Sequence, residues 1–204
     1  TSPLRVGVAA LPASDGDPHR SVSVFTTYTW SPEFETLTTF REDGELIGEL
    51  ATSWQQIEPT EWHFSLRGGV GFSNGRPLTA HDVVHSLDYL KTPHGQTTST
   101  ARDLSVISSA YAVDDSTVSI NTHMPSAILP RIMAALYIVE PDHWDALGPD
   151  EFARDPIGSG PFTVESWEQG QVAYLANSRS WRAPKIDKIQ VLQLPEVTTR
   201  LQAL

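Results

Sequence analysis

Cysteine is absent from this chain of 204 residues, which excludes disulfide bonds, thiolate-bound zinc and catalytic thiols. A protein without thiols is compatible with export from the cytoplasm. The sequence also lacks any run of apolar residues long enough to predict a membrane span. No basic and then apolar leader opens the chain, so if the protein is exported we expect its targeting segment to have been removed.

Basic residues are few, since the chain has 14 Lys and Arg against 25 Asp and Glu, a formal net charge of −11. Such a chain is poorly suited to a phosphate backbone or an anionic lipid surface, so neither nucleic acid nor a membrane is an expected direct partner. Hydrophobic residues make up 39% of the chain, including six Trp and seven Phe. This composition predicts a folded, acidic protein with a substantial core.

Common signatures of catalysis are missing as well. No GxSxG segment occurs, which removes the nucleophile elbow of the α/β-hydrolases. Gly158-Ser159-Gly160 is followed at once by Pro161, which has no amide hydrogen to donate to a phosphate. We interpret this segment as a tight turn that leads into a strand.

The segment HDVVH, residues 81–85, is similar to the HExxH signature of zinc hydrolases. On a helix that begins near residue 80, His81 and His85 lie together on the face opposite the apolar residues, and Asp82 is placed to cap the helix. No second motif supplies a third metal ligand. We expect a solvated helix face and no bound metal, and a metal-dependent hydrolase that uses both histidines is the alternative.

Apolar spacing and turn residues predict a mixed α/β chain. Alternation from Leu4 predicts a first strand, and turn residues predict hairpins at Asp114-Asp115 and at Gly170. The segment SPEFETL predicts a helix that begins with Ser31 as N-cap and Pro32 in the first turn. A group of aromatic residues is assigned to one core: Trp54, Trp62, Phe64 and Phe72.

Several stretches, taken in order, resemble one family. Residues 50–54 read LATSW, and residues 61–87 read EWHFSLRGGVGFSNGRPLTAHDVVHSL. This pattern resembles the extracellular solute-binding proteins of the oligopeptide, dipeptide and nickel class, which are the substrate receptors of ABC importers. Other segments resemble the same family, although Gly16 stands where Leu is usual: GDPHRS, DDSTVSINTHMP, IGSGPFTVESW and DKIQVLQLPEVTTRLQAL.

The resemblance implies a mixed α/β fold of the periplasmic-binding-protein-like type II. An incomplete lobe I would comprise residues 1–34 and 142–204, and an inserted lobe II would comprise residues 35–141. Lobe III, which lies across the ligand cleft in the family, would be absent. Because family members are usually much longer, we expect the chain to be a fragment of a larger protein.

The resemblance also implies a function. The chain would belong to the substrate-binding component of an ABC importer, which captures an extracellular solute by lobe closure and delivers it to a membrane permease. An oligopeptide or dipeptide is the expected ligand, and a periplasmic or lipoprotein-anchored location is implied. Family members are receptors rather than enzymes, and no cofactor is expected. A non-transporting interaction module with the same fold is a further reading.

Two loops are candidates for ligand contact by this resemblance. The residues after the DPH segment run along the ligand in peptide-binding relatives, and the loop after the HDVVH helix occupies the place of another cleft contact. Ordinary polar loops are the alternative for both. Tyr28 and Trp30 are assigned either to the cleft or to the core. The candidate ligand-binding residues are Ser21, Val22, Ser23, Val24, Thr98 and Ser99.

Overall fold

The computed structural model describes residues 2–13, 15–20 and 24–196, without the side chains of residues 24–26. Within these ranges the chain is a mixed α/β protein, and none of the described helices is long and apolar enough to cross a membrane. The strands are β1 (Leu4–Val8), β2 (Thr38–Phe40), β3 (Leu46–Gly48), β4 (Ala51–Glu58), β5 (Glu61–Leu66), β6 (Ile107–Asp114), β7 (Thr117–Thr122), β8 (Phe162–Glu168), β9 (Gln171–Ala176) and β10 (Lys188–Gln193). The helices are α1 (Val24–Trp30), α2 (Ala80–Tyr89), α3 (Ser99–Asp103), α4 (Leu129–Ile132) and α5 (Pro141–Phe152).

Sheet 1 has the strand order β1-β10-β9-β8 and joins the beginning of the chain to its last described strand. Strands β1 and β10 pair in parallel, with Val6 opposite Val191, while the other pairs are antiparallel. Gly170 adopts a φ of 81° in the turn of the β8–β9 hairpin, as the predicted turn requires. The predicted first strand and this hairpin are therefore confirmed.

Sheet 2 has the order β4-β5-β7-β6 and is antiparallel throughout. Helix α2 packs against it and buries Val83 and Leu87. Phe64 and Phe72 are fully buried and Trp62 is 9% exposed, which confirms the predicted aromatic core. Trp54 lies on the edge strand β4 and is only partly buried against this core.

The helix predicted for SPEFETL is wrong. The helix in this region is α1, which ends at Trp30, and the following residues form a turn and then an extended segment. Gly160 and Phe162 donate their amide hydrogens to the carbonyl oxygens of Glu33 (2.8 Å) and Pro32 (2.9 Å). The capping residues Ser31 and Pro32 favour a helix locally. The hydrogen bonds of this segment to residues 160–162 outweigh that preference and hold it in a non-helical conformation.

The chain crosses between the two sheets twice, and the two crossings lie side by side. The amide of Ile138 donates to the carbonyl oxygen of Glu35 at 3.0 Å, and the amide of Glu140 donates to that of Ile157 at 3.2 Å. A Cβ atom built on Gly158 would lie 2.1 Å from the carbonyl oxygen of Glu33. The GSG segment is therefore a site of close backbone approach, which explains its glycines without a phosphate ligand.

Two buried carboxylates hold this junction. Glu33 accepts hydrogen bonds from the amides of Gly158 (3.0 Å) and Val164 (2.7 Å). Glu35 accepts a hydrogen bond from the Ser159 hydroxyl at 2.8 Å and forms an ion pair with Arg182 at 2.8 Å. Since both side chains are almost completely buried, their satisfied contacts hold the first crossing segment against residues 158–164 and Arg182.

The titration of Glu33 gives a testable pH dependence. Burial raises the pKa of Glu33 to about 8 from an ordinary value of 4.5, against the opposing amide hydrogen bonds. The folded state holds the carboxyl proton of Glu33 more tightly than the unfolded state does. The resulting contribution to the free energy of unfolding is therefore complete below pH 4.5 and is lost as the pH rises through 8. We expect the stability difference between the wild type and Glu33→Gln to shrink steadily between these two pH values.

Urea unfolding midpoints measured across this pH range check the expectation. Glu42→Gln, which changes an exposed carboxylate, serves as the matched control and should keep the pH dependence of the wild type. Parallel pH profiles for the wild type and Glu33→Gln would contradict the assignment.

Candidate ligand-binding face

The segment Asp17–Arg20 is fixed in place by buried and paired charges. The Asp17 carboxylate accepts a hydrogen bond from the amide of His19 at 2.9 Å and pairs with the Arg20 guanidinium at 3.1 Å. Arg20 also pairs with Asp150 at the end of α5. Burial raises the pKa of Asp17 to about 6, although the His19 amide and the Arg20 charge oppose the shift. This anchoring sets the direction of the chain as it enters the predicted ligand segment.

His19 is a structural residue of the DPH segment. Its ring is fully buried and lies 5.6 Å from the ring of Tyr89 and 5.5 Å from that of Trp144, measured between centroids. Burial lowers the pKa of His19 to about 3, so the imidazole is neutral at physiological pH. A neutral ring enclosed by aromatic side chains connects this segment to α2 and α5.

The first turn of α3 meets this segment directly. The Ser99 hydroxyl donates to the carbonyl oxygen of Arg20 at 3.2 Å, and the amide of Thr100 approaches the carbonyl oxygen of His19 at 3.4 Å. The Thr98 hydroxyl is buried, donates to the carbonyl oxygen of Gly95 and accepts the amide of Ala101. Thr98 and Ser99 are thus positioned to support the neighbouring segment, and their hydroxyls are already engaged.

The remaining predicted ligand residues have different outcomes. Ser21, Val22 and Ser23 lie outside the described residues, so their role stays a prediction. Val24 is the first residue of α1. The structure brings the predicted contact Ser99 together with Arg20, the residue just before the predicted segment 21–24.

A pocket of about 270 Å³ lies beside α1, the helix that follows the predicted ligand segment in the chain. Thr27 and Ser31 line one side, and Tyr137 and Glu49 line another. Burial raises the pKa of Tyr137 to about 12, the charge of Glu49 adds to the shift, and a hydrogen bond with the Thr27 side chain opposes it. The pocket offers hydroxyls and aromatic surface to a ligand.

Sequence reasoning did not identify Tyr137 or Glu49. Neither residue belongs to a motif with chemical meaning, and they are brought together only by the crossing between the sheets. The Glu49 carboxylate accepts the amide of Thr36 at 2.7 Å and pairs with Arg182 at 3.0 Å, so its charge is largely compensated. Of the two aromatic candidates in α1, Trp30 is in the core and Tyr28 is 58% exposed.

The two histidines of α2 do not form a metal centre with other described residues, among which no group of three or more potential ligands converges. His81 is exposed, as expected, and lies 3.7 Å from Asp115. The expectation is only partly right for His85, whose side chain is 25% exposed and contacts Asp145 at 2.9 Å. The helical periodicity placed His85 away from sheet 2, but α5 packs against that side of α2.

Separate alanine substitutions distinguish the two positions. We expect His81→Ala to change the free energy of unfolding by no more than about 0.5 kcal/mol, as at an ordinary surface site. His85→Ala should cost about 1 kcal/mol, because it removes a partly buried hydrogen bond to Asp145. Chemical denaturation measures both changes. Equal costs, or a stoichiometric metal found by elemental analysis, would contradict this placement of α2.

Comparison with known proteins shows similarity to bacterial solute-binding proteins. A model of the bacterial extracellular solute-binding proteins, family 5 (middle), matches residues 45–204. OppA of Burkholderia pseudomallei superposes with a TM-score of 0.89 at 24% identity, over 98% of this chain and 43% of that one. MoaA of A. tumefaciens R10, solved in complex with mannopinic acid, superposes with a TM-score of 0.84 at 30% identity, over 98% of this chain and 42% of that one.

Comparison with curated protein sequences identifies a relative of a different kind, a transcriptional regulator. The HTH-type transcriptional regulator SgrR of Escherichia coli K12 is 33% identical over 168 residues, which is 80% of this chain. This match covers 28% of the regulator. The chain therefore spans less than half of the solved structures and less than a third of the curated relatives that it resembles.

Proposed function

The chain belongs to the bacterial extracellular solute-binding proteins of family 5, and on that premise we propose that it forms one wall of the ligand cleft of an ABC-importer receptor. The observation that carries the proposal is the contact of Ser99 with Arg20, which joins the two predicted ligand loops into one face. In this proposal the pocket beside α1 provides a second set of ligand contacts. The receptor works outside the cytoplasm, either periplasmic or anchored as a lipoprotein, and passes its solute to a membrane permease.

In this proposal the face is a preorganised platform. The Arg20 side chain is held by Asp17 and Asp150, and its carbonyl oxygen is held by Ser99. In the proposal, the ligand contacts of residues 21–24 start from this fixed point. A platform that is ordered before binding reduces the entropy cost of capture. Closure of a further lobe over it excludes water and buries the solute.

The proposed solute is an oligopeptide or dipeptide. A segment that lies beside a bound peptide can offer it backbone hydrogen bonds, as an added strand does. Tyr137 and Thr27 add a hydroxyl-lined pocket for one polar or aromatic group of the ligand. Mannopinic acid is the second solute to test, because the similar protein MoaA was solved in complex with it. The proposed role is capture, and it requires no reaction at the bound solute.

Isothermal titration calorimetry of the whole natural protein against short peptides and mannopinic acid tests the proposal. We expect micromolar or tighter binding of at least one solute, and about tenfold weaker binding for Tyr137→Phe, which loses a hydroxyl in the pocket. Tyr111→Phe, which removes an exposed hydroxyl on sheet 2, is the matched control and should leave affinity unchanged. Absence of binding, or equal affinities for the two variants, would contradict the proposal.

The relation to SgrR supports a second candidate, the solute-sensing part of a transcriptional regulator. With a net charge of −11, these residues are poorly suited to hold DNA, so another segment would have to supply that contact. The parent reading frame discriminates the two candidates. An export signal and neighbouring permease and ATPase genes support the receptor, and a helix-turn-helix segment in the same polypeptide supports the regulator.

A further inference from the structure

A second cavity, of about 520 Å³, lies between α2, α3 and β6. Its floor is apolar and is formed by four buried side chains that also belong to the core of sheet 2. These residues are Leu87, Leu90, Leu104 and Ile107. The volume falls within the range of small-molecule sites in proteins.

The rim of this cavity is basic, in contrast to the acidic chain around it. Lys91, Arg102 and His123 line it, and no Asp or Glu is among the described residues that do so. Lys91 pairs with Asp88 at 2.8 Å, and both side chains are substantially exposed. The Arg102 guanidinium is exposed and makes no ion pair with any described residue. The Arg102 charge is therefore available to a ligand in a cavity whose lining combines buried aliphatic side chains with Gln, Thr and Ser residues.

From this arrangement we propose that the cavity binds a small amphipathic anion, with its carboxylate at Arg102 and Lys91 and its aliphatic chain on the leucine floor. An exposed ion pair alone contributes little, so the apolar floor has to supply much of the affinity. Conversely, the Arg102 guanidinium, which has no ion-pair partner among the described residues, selects an anion over a neutral chain of equal length. Asp103 follows Arg102 in the chain but does not line the cavity.

This cavity is separate from the candidate ligand-binding face, although one loop borders both. Thr97 and Thr98 line the cavity, while Ser99 turns its hydroxyl toward Arg20. The proposal does not depend on which solute the face takes, since it requires only α2, α3, β6 and the Lys91–Arg102 rim.

The test uses three probes on the whole natural protein: octanoate, octan-1-ol with the same chain and no charge, and acetate with the same charge and no chain. Heteronuclear NMR titration gives both the affinity and the residues affected. We expect octanoate to bind in the millimolar range or tighter and to shift the amides of residues 87–91 and 101–108. The other two probes should bind at least about tenfold more weakly.

Two variants and one control complete the design. Arg102→Gln should weaken octanoate about tenfold, because it removes a charge-assisted hydrogen bond. Ala101→Leu should weaken it by filling the cavity while keeping the charge. Arg41→Gln, which removes an exposed arginine paired with Glu45, should have no effect. Equal binding of octanoate and octan-1-ol, shifts confined to other residues, no binding of octanoate, or equal affinities for Arg102→Gln and Arg41→Gln would overturn the proposal.

Discussion

Gly158→Ala is expected to destabilise the protein by about 4 kcal/mol or more, among the largest effects of a single substitution. The added methyl group would lie 2.1 Å from the carbonyl oxygen of Glu33, a backbone atom that cannot rotate away. Relief of this clash would separate the crossing segments and expose the Glu33 carboxylate, which depends on the amide of Gly158. Urea unfolding of the variant measures the loss, and failure to accumulate in folded form agrees with it.

Gly68→Ala is the matched control for this substitution. A Cβ atom at Gly68 meets no other atom within 4 Å, and its backbone does not require a glycine. We expect a change of less than about 1 kcal/mol, with a slight gain possible because alanine restricts the unfolded chain. Similar unfolding midpoints for the two variants would show that the close approach at Gly158 is not present in solution.

Trp62→Ala is expected to cost about 3–5 kcal/mol, the range for a buried aromatic side chain. Trp62 lies on β5, a central strand of sheet 2, and only 9% of it is exposed. Its indole nitrogen donates to the carbonyl oxygen of Ser126 at 3.0 Å, so the substitution removes a hydrogen bond as well as core volume. Thermal and chemical unfolding measure the change.

Two further variants separate these contributions. Trp62→Phe keeps most of the apolar contact and removes the indole donor, and it should cost less than the alanine variant. Trp54→Ala, on the partly exposed edge strand β4, should also cost less. If Trp54→Ala proved more destabilising than Trp62→Ala, the placement of Trp62 in the core and of Trp54 at the edge of sheet 2 would be incorrect.

Elements encoded by local patterns could be predicted from the sequence. Thr79 and Asp82 form the capping box that begins α2, and Gly170 forms the turn between β8 and β9. The family resemblance gave the type of fold, and the comparisons confirm it. The division into lobes at residues 34 and 141 stays a prediction, although the two sheets fall on either side of these positions.

Features that depend on distant contacts could not be predicted. Residues 31–37 carry the local signals of a helix, but the carbonyl oxygens of Pro32, Glu33 and Glu35 accept hydrogen bonds from residues more than a hundred positions away. The partial burial of His85 depends on α5, and the Tyr137 pocket depends on α1 and β2. Both features depend on which distant segments pack together. The spacing of residues along a single segment does not predict such packing.

The adjacent crossings have an evolutionary consequence. Because Ile138 donates to Glu35 at 3.0 Å, the segment from residue 36 to residue 137 begins and ends at nearly the same point. Segments whose ends meet can be gained, removed or exchanged with little change in the host, because the host strands keep their register. We therefore expect the unit containing sheet 2 to be transferable, and a chimera that takes this segment from a relative should preserve the pairing of β1 with β10.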